Sequence, residues 1–511
     1  MKPQTEHFEG EKQEHPHSTH QENQDLENAL VQGNHDVPEE IALLTPEHRE
    51  YLLQRHGTLN LEPIPDMTDA DPYNWPRWKK TSNLILVSFH GMMGTFTAAS
   101  IQSAFVPMSE DLGVSLQRTS YLVSLFIAIL GGAPLFWRPL SNRYGRRPIF
   151  LISLVCSLVG NVGCAKSPTY ATMGLCRAIT AFFISPAIGI GSAVVAETFF
   201  KKDRARCMGV WTLMATLGVP VAPLIFGFVT LRVGYRWIFW ILAITNGVQL
   251  LLYIFLGSET LYMRKPTPGG PQQTNPRHHR LSILKPIDPT PLRLYDFLSP
   301  FTLALRPCIM IPVAAYAMVF LFASVFVSIE IPQVYPEKFN FNAQQVGLQF
   351  ISMIVGSVLG EQIGGYASDQ WMWQRQRRIH QMPAPEYRLW LGYIGLALTC
   401  CGMVVFLVQL GNSDTWNVTP LVGAAIAAAG NQIVTTVNVT YAVDCYREDA
   451  ASIGVFVTFV RQIWGFVGPF WFPQMLESVG YNGSVGVVLG LIMGVSVIPT
   501  ILLHWKGRAW R

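Results

Sequence analysis

Charged residues are scarce in this sequence of 511 residues, at 14% of the chain, whereas soluble globular domains contain roughly 25%. Half of the residues are hydrophobic, and apolar windows of roughly 20 residues recur from about residue 82 to residue 505. A soluble chain of this length would divide into several domains with polar surfaces, so the composition excludes that class. The net charge of +4 is too small to indicate a nucleic-acid partner. We therefore expect an all-α polytopic protein that crosses a lipid bilayer many times.

Other features that would indicate a function are missing as well. The eight cysteines lack the paired spacing of a disulfide framework or a zinc site. The sequence contains no Walker loop, no HExxH zinc pair and no GxSxG turn. An enzyme is therefore not expected, and neither is a catalytic residue, a metal or a cofactor. The N-terminus lacks a short basic and then apolar leader, so we expect the first span to direct the chain to the membrane.

Twelve membrane spans account for the apolar windows. We predict them at approximately 82–107, 119–137, 149–166, 170–197, 208–231, 236–257, 308–329, 345–367, 389–410, 418–442, 452–476 and 483–504. Lys and Arg concentrate in the connections 138–148, 198–207 and 368–388, and basic connections tend to stay in the cytosol. With an even number of spans, both termini are then cytosolic. The plasma membrane is the expected location, with the vacuolar membrane as the alternative.

The polar segments divide the chain into five parts. These are a mostly disordered cytosolic tail (1–70), a first six-helix half (71–257), a cytosolic linker rich in Pro and Gly (258–302), a second six-helix half (303–505) and a cytosolic C-terminus (506–511). Within the tail, "LTPEHREYLLQRHG" predicts a short helix with Thr45 as N-cap, Pro46 at its first position and Gly57 as terminator.

Both halves carry the same short polar pattern. Span 2 is followed by "RPLSNR" and span 8 by "GYASDQ", so that a Ser-Asn or Ser-Asp pair comes after the second helix of each half. An acid, Glu197 or Asp444, lies at the cytosolic end of the fourth helix in each half. A parallel internal repeat of six helices is the simplest explanation.

Four stretches between residues 70 and 505 show a family pattern. They are "DPYNWPRWKK" (71–80), "PLSNRYGRRP" (139–148), "LGVPVAPLIFGF" (217–228) and "YRWIFW" (235–240) followed by "SETLYMR" (258–264). Together with "YAVDCY" and "FVRQIWGFVGPFWF" in the second half, they resemble the major facilitator superfamily, and within it the fungal twelve-span drug:proton antiporter-like transporters. The resemblance implies two pseudo-symmetric six-helix halves that rock around a central site. It also implies a small organic substrate, coupling to protons and a monomer.

The loop after span 2 resembles the family motif GxLxDRxGRR, with Arg138 at its first glycine and Asn142 at its acid. By the resemblance this loop and its partners form a cytosolic latch, for which the candidate residues are Asn142, Arg143, Gly145, Arg146, Arg147, Glu197, Asp369 and Asp444. Arg146 is expected to pair with Glu197, and Asn142 to face the N-terminus of span 11 across the two halves. Asn142 can accept a hydrogen bond there but supplies no full charge to the helix dipole. We therefore expect a weaker latch, and a smaller bias toward the outward-open state, than an aspartate would give.

Ionisable side chains inside spans are costly, so each is a functional candidate. Four are candidates for proton coupling: Glu361, Arg461, Arg177 and His90. Glu361 and Arg461 are expected to share one cavity wall, and their separation would favour proton uptake by Glu361. A permanent structural ion pair is the alternative. For Arg177, which matches the arginine of the fourth-span motif, and for His90, the alternative to proton transfer is a hydrogen bond to a neighbouring helix.

Span 5 contains small residues and prolines, Gly218, Pro220, Pro223 and Gly227, that resemble the antiporter motif. In the family this element is thought to seal the cavity against ion leak, and close packing between the halves is the alternative. Aromatic and amide side chains near the middle of the spans are candidates for lining the substrate cavity: Trp211, Tyr316, Phe320, Asn431, Gln432 and Trp464. They predict an amphipathic organic substrate, cationic if Glu361 is charged.

Three functions fit the sequence. The first is proton-coupled export of small organic molecules, such as drugs, toxins or metabolites, by alternating access. The second is proton-coupled uptake of organic cations such as polyamines, because the same fold can run in either direction. The third, from another class, is a membrane sensor without net transport.

Overall fold

The computed structural model describes residues 44–59, 61–263, 286–288, 290–379, 384–446 and 449–510, and only the backbone of Lys202, Ala205, Asp369, Ala450 and Ala451. The described chain folds into helices and turns without a β-strand. It includes twelve helices that are long and apolar enough to cross a membrane. The protein is thus an integral, multi-pass membrane protein, as the composition predicts.

The spans occupy the predicted windows, and most of them extend beyond these windows. Spans 1 to 12 run over Arg77–Leu112, Leu116–Tyr144, Arg146–Lys166, Tyr170–Thr198, Arg206–Val233, Arg236–Leu256, Pro307–Phe339, Ala343–Ile379, Pro385–Asn412, Thr419–Cys445, Ser452–Phe470 and Phe472–Trp510. The extensions are polar or charged turns, which remain helical because backbone hydrogen bonding does not stop where the apolar window ends.

Several spans contain irregular turns. Span 1 breaks after Arg77–Ala99 and resumes through the 3₁₀ turn Gln102–Ala104 into Phe105–Leu112. Spans 7, 8 and 12 contain the π-helical turns Leu321–Phe326, Gln362–Ala367 and Met493–Val497. Such turns leave the regular hydrogen-bond ladder and are frequent at functional sites.

The predicted end of span 11 at residue 476 is wrong. Span 11 ends in the 3₁₀ turn Gly468–Phe470, and a short helix follows from Phe472. Gly480, whose φ of 68° lies in the left-handed region that favours glycine, separates that short helix from the remainder of Phe472–Trp510, which forms the membrane-spanning part of span 12. The sequence hides this boundary because no polar loop precedes the short helix: residues 470–472 are Phe, Trp and Phe.

The two ends of the helix bundle differ in charge. We call "basic end" the one that carries the connections after spans 2, 4, 6, 8 and 10, and "far end" the one that carries the connections after spans 1, 3, 5, 7, 9 and 11. Six spans precede the linker and six follow it. Its described parts include the helix Leu294–Leu298 and the 3₁₀ turn Ser299–Leu305, while residues 264–285 lie outside the described chain.

The two halves meet along spans 2 and 11 and along spans 5 and 8. In the first pair, the Tyr121 and Phe470 rings stack at the far end with centroids 4.6 Å apart, and Arg138 reaches Ser452 at the basic end. In the second pair, a Cβ on Gly227 would lie 2.6 Å from the Ala343 carbonyl oxygen. The halves are therefore in contact at the far end through both span pairs, and at the basic end through the Arg138–Ser452 hydrogen bond.

The segment before span 1 folds against the basic end. Its helix, Pro46–His56, has Thr45 as N-cap and Gly57 in the left-handed conformation after its last turn, as predicted. Tyr73 of the "DPYNWPRWKK" stretch donates its hydroxyl hydrogen to the Ala196 carbonyl and stacks on Phe200, with centroids 5.0 Å apart. The stretch is therefore an anchor on the connection between spans 4 and 5.

Candidate functional site

A cavity lies between the two halves, lined by spans 1, 2, 5, 7, 8, 10 and 11. Four of the six predicted cavity side chains line it: Tyr316, Phe320, Asn431 and Gln432. Arg461 and Pro220 line it as well. The cavity therefore combines two aromatic rings, several amides and one guanidinium, the mixture expected for an amphipathic ligand.

Two predicted cavity residues do not line it. The Trp211 indole packs so closely over Gly91 and Gly191 that a Cβ on Gly91 would lie 3.1 Å from its Nε1 atom. Trp464 packs against the apolar core of the second half. Both predictions placed a side chain from its depth along the helix, whereas the direction in which it points depends on the rotation of that helix within the bundle.

Arg461 is the charged side chain among the residues that line the cavity. It donates from Nη1 to the Tyr316 hydroxyl at 2.9 Å, and its guanidinium lies 4.9 Å from the centroid of the Phe320 ring. Its Nε atom is buried without a hydrogen-bond partner. Among the described residues, no carboxylate oxygen forms an ion pair with the Arg461 guanidinium at an N–O distance of 4.0 Å or less.

The predicted meeting of Glu361 with Arg461 does not occur in this conformation. Glu361 Oε2 instead accepts hydrogen bonds from Gln432 Nε2 at 2.5 Å and from Thr436 Oγ1 at 3.4 Å, both on span 10. Glu361 precedes the π-helical turn Gln362–Ala367, and a distortion of the helix there alters the register that sequence spacing assumes. Because Gln432 lines the cavity, Glu361 lies one hydrogen bond behind the cavity wall.

Two amides in the cavity carry polar atoms without partners. Asn431 Oδ1 and Gln102 Oε1 are buried and accept no hydrogen bond from the described protein. Buried polar groups are normally satisfied, so these atoms are available to water or to a ligand. Gln102 was not among the predicted cavity residues, although an amide inside an apolar span is a signal that could have identified it.

Arg177 has the arrangement of the structural alternative. It is 1% exposed, and it donates to the carbonyl oxygens of Ala98 at 3.0 Å, Leu122 at 3.3 Å and Thr97 at 3.4 Å. The first and last of these carbonyls lie next to the break in span 1, where regular helical donors are missing. Arg177 thus joins spans 1, 2 and 4 and does not line the cavity.

His90 is likewise enclosed within the first half. It is fully buried, its Nε2 atom shares a hydrogen bond of 3.1 Å with the Ser153 hydroxyl, and the Phe150 and Tyr253 rings lie edge-on to it. The alternative of an interhelical hydrogen bond matches this geometry. Among the described residues no group of three His, Cys, Asp or Glu side chains could hold a metal ion.

The small residues of span 5 lie at two close helix contacts. Gly218 faces span 1 so closely that a Cβ there would lie 2.6 Å from the Met92 carbonyl oxygen. Gly227 and Pro223 face Gly347 of span 8. A Cβ added to Gly347 would lie 2.5 Å from the Pro223 carbonyl oxygen. Close packing between the halves therefore accounts for Gly227 and Pro223, and packing within the first half for Gly218. A sealing role for this motif stays a prediction.

At the basic end, Arg146 pairs with Glu197 as predicted, with 2.6 Å between Nη2 and Oε1. The same guanidinium donates to the Ser141 hydroxyl and to Asn142 Oδ1. Arg146 is 5% exposed, so this pair is shielded from solvent. Thr260, at the start of the linker, adds a hydrogen bond of 2.9 Å to Glu197 Oε2.

Glu259 completes this cluster and was not predicted. It accepts hydrogen bonds from the backbone N–H groups of Arg146 at 2.8 Å and Arg147 at 3.0 Å, the first residues of span 3. Gly145 makes room for it, with a φ of 100° and a hypothetical Cβ only 2.8 Å from the Glu259 carboxyl carbon. Burial raises the pKa of the Glu259 carboxyl, while these N–H groups, that of Leu261 and the Arg146 charge oppose the rise.

A Glu259→Ala variant is expected to lose about 2 kcal/mol of unfolding free energy, because two N–H groups of span 3 lose their buried acceptor. Since the folded-state pKa lies above its unfolded value, the stabilisation is full below the unfolded pKa and shrinks as pH rises through the folded-state value. Thermal unfolding in detergent across the acidic pH range measures this difference. Glu337→Ala, at an exposed position, is the control, and equal melting temperatures of Glu259→Ala and the parent would contradict the role.

Two further arginines of the loop, Arg147 and Arg143, contact span 6 and the linker. Arg147 donates to the Ile254 carbonyl at 3.0 Å, and the Arg143 carbonyl accepts from the Ile287 N–H at 2.7 Å. The second contact ties the described end of the linker to the loop. The Arg147 side chain thus contacts the end of span 6, and the Arg143 backbone contacts the linker.

The second half repeats the cluster with different residues. Arg388 lies 3.5 Å from Asp444 Oδ2 and donates to the Ser368 hydroxyl at 2.7 Å. Ser368 and Asp444 correspond to Ser141 and Glu197 in the repeat. Arg388, in the first turn of span 9, takes the role of Arg146, the first residue of span 3. The side chain of Asp369 lies outside the described residues, so its place in the latch stays a prediction.

Asn142 does not face span 11 as expected. Its Oδ1 atom accepts from Arg146 Nη1 at 2.6 Å within its own half. The contact across the halves comes from Arg138, at the position of the first motif glycine, which donates to the Ser452 hydroxyl at 2.9 Å. An arginine side chain is long enough to cross the interface, whereas the shorter Asn142 side chain accepts its hydrogen bond from Arg146 in the same half.

The latch is therefore expected to depend on Ser452 rather than on Asn142. Ser452→Ala should raise amide hydrogen exchange in residues 138–144 and 452–460 about tenfold, because a hydrogen bond to a charged donor contributes roughly 1.5 kcal/mol. Asn142→Asp should leave exchange in both segments nearly unchanged, since Arg146 already has Glu197 as its partner. Faster exchange in Asn142→Asp than in Ser452→Ala would contradict this assignment.

Comparisons with known proteins agree with this geometry. The family model of the Major Facilitator Superfamily matches residues 87–469. "Efflux pump radE" of Floropilus chiversii is 26% identical over 86% of this chain and 82% of the relative. "Probable drug/proton antiporter YHK8" of Saccharomyces cerevisiae is 29% identical over 91% of this chain and 90% of the relative.

Solved structures share the fold. The human organic anion transporter MFSD10 aligns with a TM-score of 0.56 at 18% identity, over 84% of this chain and all of that one. A peptide transporter POT aligns with a TM-score of 0.60 at 14% identity, over 84% of this chain and 95% of that one. With a family model that covers most of the sequence and twelve spans in two halves around one cavity, the chain belongs to the Major Facilitator Superfamily.

Proposed function

We propose that this transporter exports small organic molecules in exchange for protons, with the substrate bound in the central cavity and the proton on Glu361. One observation carries the proposal: Gln432 lines the cavity and also donates to Glu361 Oε2 at 2.5 Å. A single side chain therefore lies between the space for the substrate and the acid. The names of the relatives, an efflux pump and a drug/proton antiporter, support the direction of transport and the coupling ion.

The contact between Gln432 and Glu361 determines whether substrate binding and protonation of Glu361 favour or oppose each other. An amide that donates to a carboxylate becomes a better acceptor at its own carbonyl oxygen, because hydrogen bonds in a chain polarise one another. A substrate group that donates to Gln432 Oε1 is then bound more tightly while Glu361 is ionised. Protonation of Glu361 weakens the donation from Gln432, since a neutral carboxyl is a poorer acceptor. Substrate and proton thus oppose each other, as exchange requires.

The charge of the cavity bears on the substrate class. Arg461 supplies a positive charge, and the other described residues that line the cavity are neutral. A substrate with a carboxylate or another strong acceptor near Arg461, an aromatic or apolar body, and a donor near Gln432 fits this arrangement. The expectation of a cationic substrate, and with it the uptake of organic cations such as polyamines, has less support, because Glu361 lies behind Gln432 and not on the wall.

The orientation follows from the charge of the loops. We assign the basic end to the cytosol, because connections rich in Lys and Arg are retained there. We assign the protein to the plasma membrane. Export from the cytosol requires the basic end to open toward the substrate. In this conformation spans 5 and 8 are in close contact at the far end, and parting of these spans would let the substrate leave to the outside. A monomer suffices for this cycle, since both halves of the cavity come from one chain.

The function is tested by measuring the internal levels of a panel of acids, neutral compounds and cations. The cells contain or lack the protein, and each set is measured at two external pH values. Export predicts lower internal levels of some compounds in cells that contain the protein, and a larger difference at acidic external pH. An unchanged level of every compound would contradict transport and leave the membrane-sensor function in its place. Higher internal levels in cells with the protein would show uptake.

An Arg461→Gln variant is expected to export acids from this panel at least about tenfold more slowly, because a hydrogen bond to a charged group contributes roughly 1.5–3 kcal/mol. The neutral amides of the same acids should be affected far less. Arg461→Lys keeps the charge without the fork of donors and should retain part of the activity. An equal loss for acids and amides would show that Arg461 supports the cavity but does not recognise an anionic group.

A further inference from the structure

Glu330 is an acid buried in the far-end half of span 7, and the proposed exchange does not use it. Its exposed fraction is 2%, and Ile329 and Ile331 beside it and Phe326 one turn before it are fully buried. The predicted end of span 7 at residue 329 placed Glu330 outside the membrane, which is why sequence reasoning missed it. The structure continues the span to Phe339.

No group of the described protein neutralises this carboxyl. Its Oε1 atom is buried without a hydrogen-bond partner, and no basic group of the described chain forms an ion pair with Glu330. The titratable groups near it are Tyr481, which interacts with it electrostatically, and Glu337 and Lys338 on the same helix. Lys338 is engaged elsewhere: its Nζ atom donates to the Leu410 carbonyl at 2.5 Å.

An isolated ionised carboxylate in an apolar interior is so costly that such a group takes up a proton instead. A neutral carboxyl in the same place costs far less, because it lacks only the hydrogen bonds of its O–H and C=O groups. The burial of Glu330 in this conformation therefore requires that it carries a proton. Water that reached the group would remove this requirement, because hydration stabilises the ionised form.

The position of Glu330 links its burial to closure of the far end. Two residues earlier, the Ser328 hydroxyl accepts a hydrogen bond of 3.3 Å from Gln102 Nε2 in the other half. The π-helical turn Leu321–Phe326 precedes this contact, and Pro332 and Pro336 follow it inside the helix. Prolines remove backbone hydrogen bonds, so this stretch of span 7 can bend when the halves separate. Opening there would bring water to the carboxyl.

We propose that Glu330 is a second proton-binding site, which holds its proton while the far ends of the two halves are in contact and releases it to water when they part. The proton leaves the carboxyl oxygen for a water molecule on the far side and returns before the halves close again. Closure of the far end is then coupled to proton uptake there, independently of the substrate and of Glu361. The site binds protons and requires no other ligand.

Infrared spectroscopy of the purified protein in lipid tests the state of this carboxyl. The parent at neutral pH is expected to show the C=O band of a protonated acid, and that band should disappear in Glu330→Gln and in Glu330→Met. Glu337→Gln, at an exposed position of the same helix, should retain it. Identical carboxylic-acid bands in the parent and both Glu330 variants would overturn the proposal. Loss of a carboxylate band in the variants would also overturn it, because Glu330 would then be ionised in the parent. The Met variant keeps the test valid if the Gln variant fails to fold.

Hydrogen exchange in residues 327–339 and 343–350 tests the link to opening, with rates corrected for the intrinsic effect of pH. The parent should lose protection in these segments as pH rises, and Glu330→Gln should retain protection at every pH. The same pH dependence in both proteins would contradict the link. Because neither measurement involves a substrate, failure here leaves the proposed export intact, and failure of export leaves this site intact.

Discussion

A Glu361→Gln variant is expected to transport substrate at a rate that no longer depends on an imposed pH gradient. The amide keeps the size of the acid and can still accept from Gln432, but it cannot take up or release a proton. Binding of substrate then has no competing protonation step, so exchange becomes facilitated diffusion. Uptake into proteoliposomes with and without a pH gradient measures this. The variant should lack most of the gradient-driven accumulation that the parent shows.

Matched variants separate coupling from general damage at this site. Glu337→Gln removes an exposed acid and should leave gradient dependence unchanged. Thr436→Val removes the longer of the two hydrogen bonds to Glu361, of 3.4 Å, and should shift the pH dependence of transport without abolishing it. Gradient dependence that persists in Glu361→Gln would remove Glu361 from coupling and direct attention to another acid in the spans.

An Arg177→Ala variant is expected to lose on the order of 3–9 kcal/mol of unfolding free energy. Its guanidinium donates to three buried carbonyls, and each one that is left unsatisfied costs about 1–3 kcal/mol. A domain has only about 5–15 kcal/mol of stability in total, so the variant should yield little folded protein. Fluorescence-detected size exclusion and thermal unfolding in detergent measure the yield and the melting temperature.

Arg177→Lys distinguishes a structural from a proton-transfer role. A lysine can satisfy part of the carbonyl set, so the structural role predicts intermediate stability and transport in proportion to the folded protein. A proton-transfer role predicts a fully folded Lys variant that has lost gradient-driven transport. The observed contacts favour the first outcome, because Arg177 reaches neither the cavity nor an acid of the described chain.

Local motifs were predictable because their partners are set by the chain itself or by the repeat. The N-terminal helix begins and ends where Thr45 and Gly57 predict, since caps are decided by neighbours in sequence. Arg146 finds Glu197 because the loop after span 2 and the end of span 4 lie at the same end of the bundle in this fold. The same logic, applied to the second half, identifies Asp444 but not Arg388. Arg388 follows Ser368 by 20 residues, whereas Arg146 follows Ser141 by only 5, so the loop motif does not include it.

Contacts between spans around the cavity, and the contact between the halves at the basic end, were not predictable in this way. Depth along a helix suggested that Glu361 and Arg461 could meet, yet Glu361 turns toward Gln432 and Arg461 toward Tyr316. The π-helical turn after Glu361 changes the register of span 8, and no local pattern in the sequence announces such a turn. Asn142 was assigned the contact with span 11 that Arg138 makes.

The sequence by itself determined the class of this protein. Scarcity of charge, twelve apolar windows and the repeated loop pattern require a two-half membrane bundle, because lipid admits few other ways to satisfy a backbone. Only the tertiary structure decided which side chains face the cavity, that Arg461 is its charged group and that Glu330 is enclosed in span 7. Rotation of a helix about its axis decides those questions, and in a bundle that rotation is fixed by packing against all neighbours at once.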